Sequence, residues 1–163
     1  MIICKDNLKL SPKTAHEESL PNLSSSFDDV RNLSEIYLYS EKLPTELVFH
    51  FYVEDVLAGQ ISLKSIRWFN RKAELMFFLK EAFRGQGFGS KMLEMILEHV
   101  FKTMNFHRLE AEVYDYNIAA QHLLQKAGFT EEGRLREAKF FQGKYHDILC
   151  YGLLGREYVK SKR

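Results

Sequence analysis

The stretch RGQGFGS, residues Arg84 to Ser90, decides how this chain is interpreted. Three glycines within five residues leave the backbone bare, so that its N–H groups can approach another molecule closely. The stretch follows an apolar, strand-like run, Ala73 to Leu79, and it precedes an amphipathic helix. Because the first N–H groups of a helix are unpaired and the helix dipole is positive there, we expect this loop to hold an anion, most naturally a pyrophosphate.

The residues after the loop have helical periodicity. Apolar residues recur at three- and four-residue steps, as expected for a helix with one buried face: Met92, Leu93, Ile96, Leu97, Val100, Phe101 and Met104. The residues before the loop alternate instead, as a strand requires. The sequence therefore predicts a strand, a glycine-rich loop and a long helix in succession.

Further strands are predicted on both sides of this unit. Runs rich in β-branched and aromatic residues at Glu46–Val53, Val56–Leu63 and Lys72–Leu79 predict an antiparallel meander. Arg108–Tyr114 alternates and predicts a fourth strand. Before the meander, a short opening strand and a helix through Val30 to Tyr37 are expected.

The C-terminal third predicts a helix and a hairpin. Asn117 is placed to cap a helix that Gly128 ends in a left-handed conformation. Strands at Thr130–Phe141 and Tyr145–Leu154 then fold around a tight turn at residues 142–143. This order of elements predicts an α+β fold, with a central mixed, mostly antiparallel sheet flanked by helices. A length of 163 residues suits a single domain, 1–163.

Composition excludes several classes of protein. A formal net charge of +1 argues against a surface that coats nucleic acid. The two cysteines, Cys4 and Cys150, form no CxxC pair, and no histidine cluster has the spacing of metal ligands, so we expect no metal. We expect no membrane span and no signal peptide, which makes the cytoplasm the default compartment.

Two phosphate-binding motifs do not fit the glycine loop. A P-loop that starts at Gly85 needs a glycine where Ser90 stands. The dinucleotide fingerprint GxGxxG fails at the same residue, and the preceding strands predict a meander rather than a βαβ unit. A loop that only turns the chain remains the alternative without a ligand.

Three patterns instead resemble the GNAT family of N-acetyltransferases. Arg-x-x-Gly-x-Gly at residues 84–89 resembles the family's cofactor loop, and NIAAQHLLQKAGF at 117–129 resembles its NxxAxxLxxKxGF helix. Gly-x-Tyr-x-Asp at 143–147 is similar to the closing hairpin of the branch that includes ribosomal-protein N-terminal acetyltransferases. The resemblance covers about Val48 to Tyr158, whereas the first 45 residues match poorly.

The resemblance implies that acetyl-coenzyme A is the co-substrate. The pyrophosphate would lie on the backbone amides of the loop, and Phe77, Phe78 and Leu79 would pair with the pantetheine arm. Asn117 would either direct its amide at that arm or act as a plain helix cap. The implied loop residues are Arg84, Gly85, Gln86, Gly87, Phe88, Gly89 and Ser90.

The resemblance also implies a base and, in many members of the family, an acid. Glu112 is the first candidate for the general base and Glu74 the second. Many members carry a tyrosine seven residues after the asparagine, but here that residue is Leu124. Three other tyrosines remain as substitutes for this general acid: Tyr114, Tyr116 and Tyr145.

The expected activity is transfer of an acetyl group from acetyl-coenzyme A to a primary amine. The favoured acceptor is a protein or peptide N-terminus, and an amino-sugar, a polyamine or an antibiotic is the alternative. A strongly acidic channel would favour a polyamine, whereas a wide groove would favour a peptide. A non-catalytic module that binds coenzyme A is the hypothesis from another class. We expect no nucleic-acid or membrane partner, and a homodimer is left open.

Overall fold

The structure is a computed structural model that describes residues 3–5, 8–10 and 43–161. The chain divides into two compact units, Met1–Leu38 and Tyr39–Arg163, and each is described by itself. In the first unit, β1 (Ile3–Lys5) pairs antiparallel with β2 (Leu8–Leu10), where one short strand was expected. The helix predicted through Val30 to Tyr37 lies outside the described residues. That the whole chain forms one domain stays a prediction.

The second unit has its strands and helices in the predicted order, with one further helix at its end. Its elements are β3 (Leu47–Val53), β4 (Val56–Arg67), β5 (Lys72–Leu79), a 3-10 turn (Glu81–Phe83), α1 (Phe88–Glu98), a π-helical turn (His99–Thr103), β6 (Arg108–Tyr114), α2 (Ile118–Lys126), β7 (Thr130–Phe141), β8 (Lys144–Leu154) and α3 (Gly155–Ser161). None of the helices among the described residues is long and apolar enough to cross a membrane.

The six strands of this unit form one sheet in the order β3-β4-β5-β6-β8-β7. Every neighbouring pair is antiparallel except β5 and β6, which are parallel. The prediction of an α+β fold with a mixed, mostly antiparallel sheet is therefore confirmed. The β7–β8 turn has a positive φ at Gln142 (48°) and Gly143 (82°), as a two-residue hairpin of this type requires.

The parallel pairing between β5 and β6 covers only three residues on each strand. Residues 72–74 of β5 pair with 108–110 of β6, and no further pairing joins the two strands. Toward their carboxyl ends, from Leu75 and Ala111 onward, the strands separate. A cleft therefore opens in the middle of the sheet.

One face of the sheet packs against α1 in a continuous core. The predicted apolar stripe of α1 is buried, with Met92, Leu93, Ile96 and Leu97 each no more than 5% exposed. They join alternating residues of the central strands, among them Leu75 and Leu109. This inner face fixes which strand residues point away from α1, because side chains alternate along a strand.

Two elements differ from their predicted extents. Strand β4 runs four residues past Leu63, through an irregularity between Lys64 and Arg67 where Ser65 has a φ of 48°. This bulge shifts the alternation of buried and exposed side chains by one residue, so that Ile66 is again buried in the core. In the sequence, the alternation that marks a strand is therefore interrupted after Leu63. Helix α3 was not predicted, since seven residues are too few to show a period.

Gly59, in β4, lies beside the carboxyl end of β5. It pairs with Leu79, and a Cβ atom on Gly59 would lie 2.5 Å from the carbonyl oxygen of Phe78. Because that oxygen belongs to the backbone, it cannot move aside as the tip of a flexible side chain would.

We predict that Gly59→Ala lowers the free energy of unfolding by about 1–3 kcal/mol, the usual cost of overpacking. The melting temperature should fall by several degrees in a thermal scan followed by circular dichroism, at about 2–4 °C per kcal/mol. Gly133→Ala is the matched control, because a Cβ there would meet no atom within 4 Å. Equal melting temperatures for Gly59→Ala and the parent chain would contradict this account of Gly59.

Candidate functional site

The cleft between β5 and β6 holds a cavity of about 490 Å³ that brings together three separate parts of the chain. They are the end of β5, the glycine loop and the start of α2. The sequence-predicted residues that line it are Phe77, Phe78, Leu79, Arg84, Gly85, Gly87, Gly89, Ser90 and Asn117. The side chains of Gln86 and Phe88 do not line this cavity.

The glycine loop presents an uncapped helix end to the cavity. Gly87 is the residue before α1, its φ is 82°, and no side chain caps the first turn. By contrast, Asn117 caps α2, where its Oδ1 accepts a hydrogen bond from the Ala120 N–H at 3.2 Å. The N–H groups of the first turn of α1 therefore stay available for an anion.

Side chains of the loop hold its shape. Gln86 Nε2 donates to the carbonyl oxygen of Ala82 at 2.7 Å, and the rings of Phe83 and Phe88 meet edge to face at 6.0 Å. Gln86 and Phe88 thus turn their side chains away from the cavity while their backbone remains in the loop. Gly85, with a φ of 74°, completes a bend that residues with a Cβ rarely adopt.

Arg84 ties the loop to the strand that precedes it. Its Nε donates to the carbonyl oxygen of Leu79 at 2.9 Å, and its guanidinium carbon lies 5.7 Å from the centre of the Phe78 ring. Within the described part of the chain, its two terminal nitrogens have no hydrogen-bond partner. The side chain thereby places a fixed positive charge at the cavity rim.

Gly89 also packs closely against α2. A Cβ on Gly89 would lie 3.3 Å from Cδ2 of Leu123 in α2. The glycine therefore lets α1 and α2 approach each other beside the cleft. Exposure of the backbone was predicted for all three glycines. The packing of α1 against α2 at Gly89 was not predicted.

The strand β5 offers an open backbone edge to the cleft. On one side, its residues 77–79 pair with 59–61 of β4. On the other side, no pairing with β6 continues past Glu74. An extended amide-containing chain can add to such an edge as a further strand.

A smaller cavity, of about 140 Å³, leads through the split between the strands. It shares Phe77, Asn117 and Ala120 with the large cavity, and it also contacts Met76 and Glu112. A third cavity, again of about 140 Å³, lies on the face away from α1 and shares Met76 and Phe77 with the second. The three adjoin one another, since each shares lining residues with the next, and together they run from the glycine loop to the opposite face of the sheet, which we call the second face.

The two candidate bases occupy different positions on this second face. Glu112 is exposed and lines the cavity in the split. Glu74 is half-buried on the neighbouring strand, and it lines none of the three cavities. Among the described residues, neither carboxylate has an ion-pair partner.

A third carboxylate on this face, Glu110, is already neutralised. Its Oε1 accepts hydrogen bonds from Arg108 Nε at 2.8 Å and from Lys72 Nζ at 3.3 Å. Burial acts to raise the pKa of Glu110, but the two cations outweigh it, and the net shift is downward. A carboxylate held in this way is a poor proton acceptor, so Glu110 is not a candidate base.

The side chains of Asp115 and His146, a pair that was not predicted from the sequence, fix the turn between β6 and α2. His146 Nδ1 donates to Asp115 Oδ1 at 2.9 Å, and the Asp147 N–H donates to Asp115 Oδ2 at 3.3 Å. Partial burial raises the pKa of Asp115, but these hydrogen bonds, with the Asp147 N–H first, bring it below its usual value. Nothing in the sequence signals that His146 has a partner 31 residues away.

Comparison with known proteins agrees with this geometry. The sequence profile of the family described as "Acetyltransferase (GNAT) domain" matches residues 24–150. The spermidine N(1)-acetyltransferase of Vibrio cholerae is 30% identical over 82% of this chain and 76% of its own length. The ribosomal-protein-serine acetyltransferase of Escherichia coli is 28% identical over 92% of this chain and 82% of its own.

A solved structure is similar as well. The crystal structure of spermidine N-acetyltransferase from Vibrio cholerae in complex with CoA and spermine superposes with a TM-score of 0.67 at 28% identity. The match covers 82% of this chain and 78% of that one. In that relative, therefore, the same fold accommodates the coenzyme and an amine together.

We predict that Gly87→Val weakens coenzyme A binding at least about tenfold, or 1.4 kcal/mol. The side chain would block the backbone at the start of α1, and a φ of 82° is unfavourable for a β-branched residue. Isothermal titration calorimetry with coenzyme A measures the change in Kd. Gly133→Val is the control, since it lies outside the cavity in open space; an unchanged Kd for Gly87→Val would refute this role of the loop.

Proposed function

The chain belongs to the GNAT family and is an acetyl-coenzyme A-dependent N-acetyltransferase; from that premise, we propose that its acceptor is the N-terminal amine of a protein or peptide. The observation that carries the proposal is the row of adjoining cavities in the split between β5 and β6, because it brings a donor site on one face close to an acceptor site on the other.

We assign the coenzyme to the large cavity. The amides of Gly85 to Ser90 would hold the pyrophosphate, with Arg84 adding charge at the rim. The edge of β5 at residues 77–79 would pair with the amides of the pantetheine arm. Asn117 fits both of its expected roles at once, because Oδ1 caps α2 and Nδ2 is left to donate to the arm.

The second face supports a peptide acceptor through its mixed character. Met76 and Phe78 are exposed there, at 47% and 56%. Beside them, Gln60 Nε2 donates to the hydroxyl of Ser62 at 3.3 Å. One carboxylate beside them, Glu46, is neutralised by Lys64 at 3.8 Å. Such a lining suits a chain of amides and side chains better than a ligand that carries several positive charges.

Acetyl-coenzyme A supplies an activated thioester, and the residues of this chain manage protons and charge around it. Glu112 would accept the proton of the attacking amine, directly or through a water. A backbone N–H near Phe78 or Leu79 would donate to the thioester oxygen as that oxygen becomes negative. Both groups line this row of adjoining cavities.

A polyamine is the second candidate acceptor. The Vibrio cholerae relative is a spermidine N(1)-acetyltransferase by name, and a solved structure of spermidine N-acetyltransferase from that organism contains spermine. Two carboxylates on the second face, Glu74 and Glu112, lack an ion-pair partner in the part of the chain that the structure describes, which favours a cationic ligand. The peptide remains first because a polyamine needs several such unpaired carboxylates along its length.

Three further expectations remain predictions. We place the reaction in the cytoplasm, where acetyl-coenzyme A and nascent or mature N-termini are both available. We also retain a homodimer as the candidate assembly, and we expect no nucleic-acid partner.

A panel of amines tests the acceptor. We expect faster release of free coenzyme A thiol with peptides that carry a free N-terminus than with spermidine, an amino-sugar or an aminoglycoside. The assay follows the thiol with a chromogenic disulfide. Faster turnover with spermidine would establish the second candidate, and tight coenzyme binding without turnover on any amine would show a non-catalytic module.

Paired variants test the base. Glu112→Gln should lower kcat by about 10²–10⁴-fold, the usual contribution of general base catalysis, with an unchanged Kd for coenzyme A. Glu74→Gln is the matched variant, a carboxylate on the same face but outside the cavities, and it should keep most of the activity. Full activity in Glu112→Gln together with loss in Glu74→Gln would transfer the role to Glu74.

A further inference from the structure

The geometry points to Tyr114 as the general acid that protonates the departing thiolate. This inference rests on the proposed acetyl transfer to an amine. It names a residue that protonates the thiolate, a role that the similarity to known proteins gives to no residue of this chain. Three tyrosines were left open by the sequence, and the structure separates them by position.

The usual tyrosine cannot act here. Its position is occupied by Leu124, whose side chain is fully buried in the core at 0% exposure. A leucine has no proton to give. A side chain that protonates the sulfur would therefore come from another element that reaches the split between β5 and β6.

Of the three tyrosines, Tyr114 is the one that reaches the split. It lines the cavity there together with Phe77, Glu112 and Asn117. The large cavity for the coenzyme shares Phe77 and Asn117 with this one, so that Tyr114 lies where the two meet. The expected end of the pantetheine arm falls at the same junction, because Phe77 and Asn117 are the residues assigned to it.

The other two tyrosines line none of the three cavities described above. Tyr116 is 42% exposed and belongs to an aromatic stack, with its ring 5.5 Å from Phe141 and edge-on to His146 at 4.7 Å. Tyr145 is 64% exposed and packs against Phe140 at the hairpin. Tyr114 is therefore the one of the three that borders the split.

Tyr114 is held in place on two sides. Its ring stacks on Tyr116 at 5.4 Å with an interplanar angle of 23°. Its carbonyl oxygen accepts hydrogen bonds from the Asn117 N–H at 2.9 Å and from Gln121 Nε2 at 3.3 Å. The residue is thus anchored to the same turn that presents Asn117, which preorganises a donor relative to the coenzyme.

A positive charge accompanies the ring. Lys139 Nζ lies 5.5 Å from the centre of the Tyr114 ring, reaching over from β7. An ammonium over an aromatic ring is a favourable contact that helps to hold the ring in place. This contact has no evident role in the core, since β7 is an edge strand whose side chains are largely exposed.

The step balances without a further reactant. The amine nitrogen forms a bond to the carbonyl carbon, and the carbon–sulfur bond breaks with its electron pair going to sulfur. The proton of the amine goes to Glu112, and the proton of the Tyr114 hydroxyl goes to sulfur, giving the free thiol. Exchange with solvent then returns a proton to Tyr114 and removes one from Glu112.

The test is Tyr114→Phe, which keeps the ring and its stacking and removes only the hydroxyl. We expect the single-turnover rate of acetyl transfer to fall by about 100-fold or more, as for loss of a general acid. The Kd for coenzyme A and the melting temperature should stay unchanged. Single-turnover measurement by rapid quench is needed because product release limits kcat in many enzymes. Tyr116→Phe is the matched control and should keep the parent rate.

The outcomes separate this inference from the proposed function. An unchanged single-turnover rate in Tyr114→Phe, with an active parent chain, overturns the role of Tyr114 alone. A lower rate accompanied by weaker coenzyme binding or a lower melting temperature assigns Tyr114 a structural role and also overturns it. A parent chain that is inactive on every amine would overturn the acetyl transfer itself, and this inference with it.

Discussion

The separation of β5 from β6 is the constraint on which the site depends. The two strands pair over only three residues each, 72–74 and 108–110, and then part. The open edge of β5, the uncapped start of α1 and the cap of α2 all face the resulting cleft. Because Gly89 lets Leu123 approach, α1 and α2 stay close beside it. A sheet that remained closed would leave neither a backbone edge for the coenzyme nor a passage to the second face.

Much of the fold could be predicted because its signals are local. The strands β5 and β6 have the predicted bounds, and the capping Asn117, the left-handed Gly128 and the turn at 142–143 are each marked by residues next to one another. Where a signal is interrupted or short, prediction failed. The bulge at Ser65 hides the end of β4, and the seven residues of α3 show no period.

The candidate site was predicted from the sequence only in part. The glycine loop, the end of β5 and Asn117 could be named in advance because one family pattern spans them. The choice between Glu112 and Glu74 could not be made, since both lie on the same face of neighbouring strands and only the split distinguishes them. The pair Asp115 and His146 was missed because strand pairing, not sequence proximity, brings it together.

The central claim is that bare backbone amides at the start of α1 and along the edge of β5 bind acetyl-coenzyme A. Hydrogen–deuterium exchange, measured with and without coenzyme A, tests it most directly. We predict slower exchange of the amides at residues 77–79 and 85–90, with little change at the β7–β8 turn, which lies outside the large cavity. Tight binding of the coenzyme with unaltered exchange at both segments would contradict the account.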